Sequence, residues 1–181
     1  FTKLEIERIL KWYSELKGLR FAALRYFNAA GYDMKSRITE MEKNCANLLP
    51  IVMETAAGTR EKVLIFGDNY NTADGTGVRD YIHVNDLATA HIKAMIYLEK
   101  ENKDIIVNLG TGNGYSVFDV INEIKKITGK AVPYRVVDRR PGDPDDLVAK
   151  SLNAKELLGW VPKYSDLNTL LKSMWEMYVG R

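Results

Sequence analysis

Five short apolar runs, "LRFAALRYF", "KVLIFG", "YIHV", "DIIVNLG" and "VPYRVVD", alternate with stretches whose apolar residues recur at helical spacing. Strands that alternate with helices pair in parallel and carry the helices on the sheet faces, so the fold class is α/β. Ile6, Ile9, Leu10, Tyr13 and Leu16 trace a first helix that stops at Gly18, a residue suited to the left-handed position behind a helix. A second helix is expected from around Pro50 to near Gly58, because proline's missing N–H costs nothing in a first turn. A third, capped by Asn85 or Asp86, runs through Leu98, and a fourth covers Val117 to Thr128 with Gly129 behind it. A short helix around "NAKELLGW" and a last one using Leu167, Leu170, Leu171, Met174 and Tyr178 close the chain. Residues 28–44, 68–80 and 139–146 read as loops. The long loop 68–80, dense in Asp, Asn and Gly, is of a length that often carries function.

The 181 residues are 46% hydrophobic and 28% charged, enough apolar material for one soluble globular unit with a sizeable core. A net charge of +2, from 26 basic and 24 acidic residues well interspersed, gives no broad field for nucleic acid or an anionic membrane, so any anion site is local. Cys45 is the single cysteine, which rules out an intrachain disulfide, suits a cytoplasmic setting and is expected to be buried and inert. No apolar stretch reaches the ~18 residues of a membrane span. The chain opens in helical periodicity without Met, and a doubly wound sheet starts with its own strand and phosphate turn, so a preceding segment is expected.

"NLGTGNGYSV" raises the question of a dinucleotide turn. Gly110 and Gly112 meet two positions of Gly-x-Gly-x-x-Gly, but Tyr115 takes the third, and Asp138 lies 28 residues beyond Gly110 where about 20 is usual. The competing reading is a strand-to-helix corner, with Ser116 as N-cap and Asp119 at the third helical position. His83 and His91 stand eight apart with no acids at metal-ligand spacing, so each reads as a local hydrogen-bonding residue and no metal is expected. No Gly-x-Ser-x-Gly elbow is present. Arg79 and Arg140 sit where loops meet strand ends, the usual ligand edge of an α/β sheet, and a guanidinium fork suits a diphosphate. Ion pairs with Asp80 or Asp138 are the alternative. Phe66 reads either as core or as a platform for a base.

The blocks "LRYFNAAG", "NLLP", "LIFGDNYNTADGTGVRDYIHVNDLATAH", "NLGTGNGYSV" and "RRPGDPDDLVAKSLNAKELLGW", in this order, resemble the C-terminal half of the UDP-glucose 4-epimerases, a branch of the extended short-chain dehydrogenase/reductase family. The resemblance spans nearly the whole chain. It implies the C-terminal part of a doubly wound Rossmann-type parallel sheet plus a smaller α/β substrate-binding domain. Residues 1–31 and 78–110 would be the remaining parts of the NAD-binding domain, and 32–77 with 111–181 mainly the UDP-sugar domain. The glycine turn then falls at a corner away from the NAD pyrophosphate.

By the same resemblance, Lys3 is the lysine of the family's Tyr-x-x-x-Lys motif, whose tyrosine would lie two residues before Phe1. It would bind the ribose of NAD and lower that tyrosine's pKa, while Tyr26 would lie by the nicotinamide. The family oxidises the sugar to a 4-keto intermediate and returns hydride to the opposite face, interconverting UDP-glucose and UDP-galactose. Asn28, Asn47 and the Leu48 backbone would lie near the phosphates and sugar, and Leu64 and Phe66 would line the uracil pocket. Arg79 and Arg140 would clamp the diphosphate, Asp143 would accept from the ribose, and Leu147 would stand where sugar size is gated, with N-acetyl forms left open. The resemblance further implies a cytoplasmic enzyme, with a homodimer open to its full-length form. A non-catalytic nucleotide-sugar binding fragment, or a dehydratase or decarboxylase of the same family, are the alternatives.

Overall fold

A computed structural model describes residues 2–38, 40–41 and 45–179. Every strand pairing in it is parallel. β1 (Ala22–Arg25) pairs with β6 (Ile105–Asn108), β2 (Asn28–Ala30) with β5 (Tyr81–His83), β3 (Val63–Phe66) with β7 (Tyr134–Val137), and β4 (Val78–Arg79) with β8 (Asp146–Leu147). The α/β class with parallel strands is thus what the chain adopts, as four two-stranded pairs. β2 and β4 fall inside stretches that read as loops, and β8 begins on the last residue of another. Two or three residues are too few to express an alternation, so only the pairing defines them.

The helices follow the periodicity with corrected ends. α1 (Thr2–Lys17) stops before Gly18, whose φ is 69°. α2 (Leu48–Ala56) starts two residues before Pro50, behind Asn47, and still keeps the proline within the turn whose N–H groups have no helical partner. α3 (Val84–Glu101) is not capped by Asn85 or Asp86: the His83 ring Nδ1 accepts the Asn85 N–H at 3.0 Å. Asp86 is buried, accepting from the Lys163 and Tyr164 N–H groups and the Ser165 hydroxyl. α3 also runs beyond Leu98 to a left-handed Asn102. α4 (Val117–Thr128) carries the expected capping box of Ser116 and Asp119, with Gly129 left-handed behind it. α5 (Leu152–Leu158) and α6 (Leu167–Val179) complete the order.

Two cores result. One packs the buried faces of α2, α4 and α6 against β3, through Val52, Met53, Ile65, Ile121, Ile124, Leu170 and Leu171. The other packs α3 and α5 on β6, around Ala90, Val107, Leu109, Ala154 and Trp160. Tyr81 belongs to the first core and Ile82 to the second, so β5 joins the two through consecutive residues. Cys45 is buried. Among the described residues no helix is long and apolar enough to cross a membrane.

Candidate ligand-binding cavity

A cavity of about 650 Å³ opens where β1, β3 and β7 end and the loops behind them meet. Nine of the eleven expected site residues line it: Tyr26, Asn28, Asn47, Leu48, Leu64, Phe66, Arg79, Arg140 and Asp143. The other two do not. Lys3 lies exposed in the first turn of α1, and Leu147 sits on β8 opposite Arg79, 38% exposed.

The arginines are held differently. Arg79 Nη1 donates to the Val78 carbonyl at 2.8 Å and the Pro144 carbonyl at 3.0 Å, and Nη2 pairs with Asp143 Oδ1 at 3.1 Å. A guanidinium has five N–H groups, so Nε–H and one Nη2–H stay uncommitted among the described residues. Its ion-pair partner is Asp143, not Asp80. Arg140 lies with Cζ 3.7 Å from the centre of the Phe66 ring and, among the described residues, makes no ion pair with Asp138 or another acid. Packing on an aromatic face orients a guanidinium while leaving its edge donors available. Phe66 is therefore a wall of the cavity rather than sealed core.

Sequence reasoning passed over Tyr70, Tyr81 and Arg139. Arg139 repeats the neighbouring arrangement, with Cζ 3.8 Å from the centre of the Tyr70 ring, and binds Asp145 Oδ1 at 2.6 Å. The tandem arginines thus cover two aromatics four residues apart, Phe66 and Tyr70, a pairing that the fold makes between segments about 70 positions apart in sequence. The Tyr70 hydroxyl is buried without a hydrogen-bond partner among the described residues, an unmet polar group in the cavity wall. Burial pushes the Tyr81 phenol up to about 12 against the pull of the Arg79 charge, so this cavity tyrosine stays protonated and can donate but not act as a base.

The glycine turn lines no part of the cavity that gathers the expected site residues. The Asp80 carboxylate accepts the Thr111 N–H at 3.1 Å and the Ala149 N–H at 3.2 Å, so the turn's amides are taken by the protein's own anion. Tyr115, at the position of the third glycine, exchanges backbone hydrogen bonds with Arg79. The corner reading is the one the structure shows. His83 and His91 make the local hydrogen bonds expected of them, His83 Nε2 with Ser173 and His91 Nδ1 with the Leu87 carbonyl. A second cavity, of about 640 Å³, is lined by Thr111 and Gly112 of the turn with Lys150, Lys155, Trp160 and Lys163, and contains none of the expected site residues.

Parallel strand pairs that end in an arginine-bearing, aromatic-walled cavity make this an α/β protein with a cleft fitted to a flat, anionic ligand. The chain belongs to the NAD dependent epimerase/dehydratase family, whose sequence profile matches residues 1–110. It is 46% identical over 177 residues to the UDP-glucose 4-epimerase of Halalkalibacterium halodurans, covering 98% of this chain and 53% of that relative. The structure of UDP-glucose 4-epimerase from Brucella ovis in complex with NAD superposes with a TM-score of 0.93 at 42% identity, over 98% of this chain and 55% of that one. The enzyme from Stenotrophomonas maltophila, with bound NAD and formylated UDP-arabinopyranose, gives 0.92 at 40% identity, over 99% and 54%. The chain spans about half the length of the relatives it matches.

Proposed function

We propose that the cavity holds a UDP-sugar and that this chain is the substrate-binding half of an NAD-dependent UDP-hexose 4-epimerase interconverting UDP-glucose and UDP-galactose. The observation that carries this reading is the convergence of Arg79 and Arg140, 61 positions apart in sequence, on one cavity with Phe66, Asn28 and Asp143. Two guanidinium groups with uncommitted N–H donors match the oxygens of a diphosphate, and an aromatic wall beside them suits a base. The Asp143 carboxylate, already bound to Arg79, can accept from a ribose hydroxyl with its second oxygen. Asn28 donates its amide to the Asp80 carbonyl at 3.0 Å, which leaves its side-chain oxygen as an acceptor toward the cavity. Gripping the nucleotide while the hexose end meets fewer charged groups lets a keto sugar turn over in place.

NAD supplies a hydride acceptor and donor when bound. Of the residues present, Tyr26 at the end of β1 fits one end of it: the ring is 40% exposed at the cavity and is steadied edge-on by His91, 6.4 Å between centres. Lys3 is proposed for the ribose hydroxyls, and its exposed ammonium is uncommitted among the described residues. We assign residues 1–31 and 78–110 to the cofactor domain and 32–77 with 111–181 mainly to the substrate domain; α5 packs on the α3–β6 core across that division. Leu147 is proposed as the residue that sets acceptance of N-acetyl sugars. A cytoplasmic homodimer of the full-length enzyme completes the reading.

Calorimetric titration of the full-length polypeptide with UDP tests it. Arg79→Ala and Arg140→Ala should each weaken binding about tenfold or more, the loss of one to two charge-assisted hydrogen bonds. Unchanged affinity in both overturns the clamp, and failure to interconvert UDP-glucose and UDP-galactose overturns the activity.

A further inference from the structure

We infer that Asp80 is a positioning residue for the Arg79 guanidinium, acting through the glycine turn at residues 110–112; the inference rests on the UDP-sugar reading of the cavity. Asp80 is 3% exposed. No cation lies within ion-pair distance of it among the described residues, so its charge is met by hydrogen bonds alone. Oδ1 accepts the Thr111 hydroxyl at 2.8 Å and Oδ2 the N–H groups of Thr111 at 3.1 Å, Ala149 at 3.2 Å and Gly112 at 3.4 Å. Successive N–H groups converging in this way form the concave nest that elsewhere binds phosphate. Here the occupant is a side chain. A carboxylate buried without such donors would be strongly disfavoured, so the turn and Asp80 specify each other.

The main chain of Asp80 extends the lock. Its N–H donates to the Leu147 carbonyl at 3.2 Å and its carbonyl accepts the Asn28 amide at 3.0 Å. Through one residue, β2, the turn after β6, and β8 are fixed to the position that follows Arg79. The acceptors that orient the Arg79 guanidinium, the Pro144 carbonyl and the Asp143 carboxylate, lie on the approach to β8. A second carboxylate fixes the middle of the same loop: Asp74 accepts from the Ser116 hydroxyl and from the Thr76 N–H and hydroxyl, and Thr76 Oγ1 accepts the Val117 N–H. The loop that carries Arg79 is thus held on both sides of that residue, against the turn and the start of α4. Misplacement of a binding group by about 1 Å is enough to lose most of its contribution, so release of the Asp80 latch should be felt at the diphosphate.

Asp80→Asn keeps the shape but turns one acceptor into a donor facing amide donors. In the full-length polypeptide it should weaken UDP binding about tenfold while uridine, which lacks phosphate, binds as to the wild type. Thr111→Val, which removes one hydroxyl donor, should weaken UDP binding about threefold by the same pattern. With Arg79→Ala in place, neither change should weaken UDP binding further, because Asp80 acts through that side chain. Circular dichroism reports whether each variant folds; if Asp80→Asn does not, Thr111→Val carries the same comparison. Equal losses for UDP and uridine, additive losses with Arg79→Ala, or no loss of UDP affinity overturn the inference alone. A wild-type polypeptide that binds no UDP overturns it together with the reading on which it rests.

Discussion

Gly110 shows what a single residue decides. Its backbone is unstrained, yet a Cβ there would stand 2.6 Å from Asp80 Oδ2 and closer still to the Ala149 Cβ. Gly112, two residues on, has open space around it and is glycine for its φ of 76° instead. Gly110→Ala should therefore cost about 1–3 kcal/mol by overpacking and displace the Asp80 latch, read as a lowered urea midpoint together with weakened UDP binding. Gly112→Ala should cost about 1–2 kcal/mol of backbone strain. His83 makes a second case at this scale. Burial lowers its pKa below 6.5, against the opposing pull of Asp86, Asp166 and Asp33. As pH falls through 6.5 the unfolded chain takes up a proton that the folded one refuses, so this residue removes stability on the acid side, by up to ~1.4 kcal/mol per pH unit. Urea midpoints at pH 7.5 and 5.5 should fall less between the two in His83→Gln than in the wild type; an equal fall would count against the buried neutral imidazole.

At the scale of elements, α4 was legible from its ends inward: Ser116, Asp119 and Gly129 mark the boundaries that the structure shows. Such caps are readable because their partners lie within three or four residues. Ser116→Ala removes both the acceptor for the Asp119 N–H and the donor to Asp74, and a loss of about 1–2 kcal/mol in chemical denaturation is expected. The His83 cap of α3 was not legible, since histidine is uncommon in that role and Asn85 and Asp86 offered ordinary candidates. Asp86 is instead drawn to three donors on residues 163–165, 77 positions or more away. The same distance in sequence hid β4 and β8, which exist only because each gives the other a partner.

For the whole molecule, the two cores predict where damage is felt. Leu171 is wholly buried in the core where α6 packs on α2 and α4, and Leu171→Ala should cost about 2–5 kcal/mol in a thermal or urea melt. Trp12, Leu16 and Met95 are 67%, 77% and 69% exposed, so truncating any of them in the 181-residue chain should leave its stability nearly unchanged. Such a concentration of exposed apolar surface on α1 and α3 is unusual for an isolated soluble protein, and the purified 181-residue chain should bind a hydrophobic dye such as ANS, with Trp12→Ser and Leu16→Ser lowering the signal.

Sequence alone determined what depends on neighbours along the chain: the alternation that makes the class α/β, the helix faces, the Ser116 cap, and the motifs by which the family could be recognised. The tertiary structure decided what depends on distant partners. It joined Arg79 to Asp143 rather than Asp80, laid Arg140 and Arg139 on Phe66 and Tyr70, and gave the glycine turn a carboxylate of its own to hold. A pattern in one segment records the preferences of that segment's backbone and side chains, whereas a buried charge takes whichever donors the fold brings within 3 Å, and that is settled only when all the segments are packed.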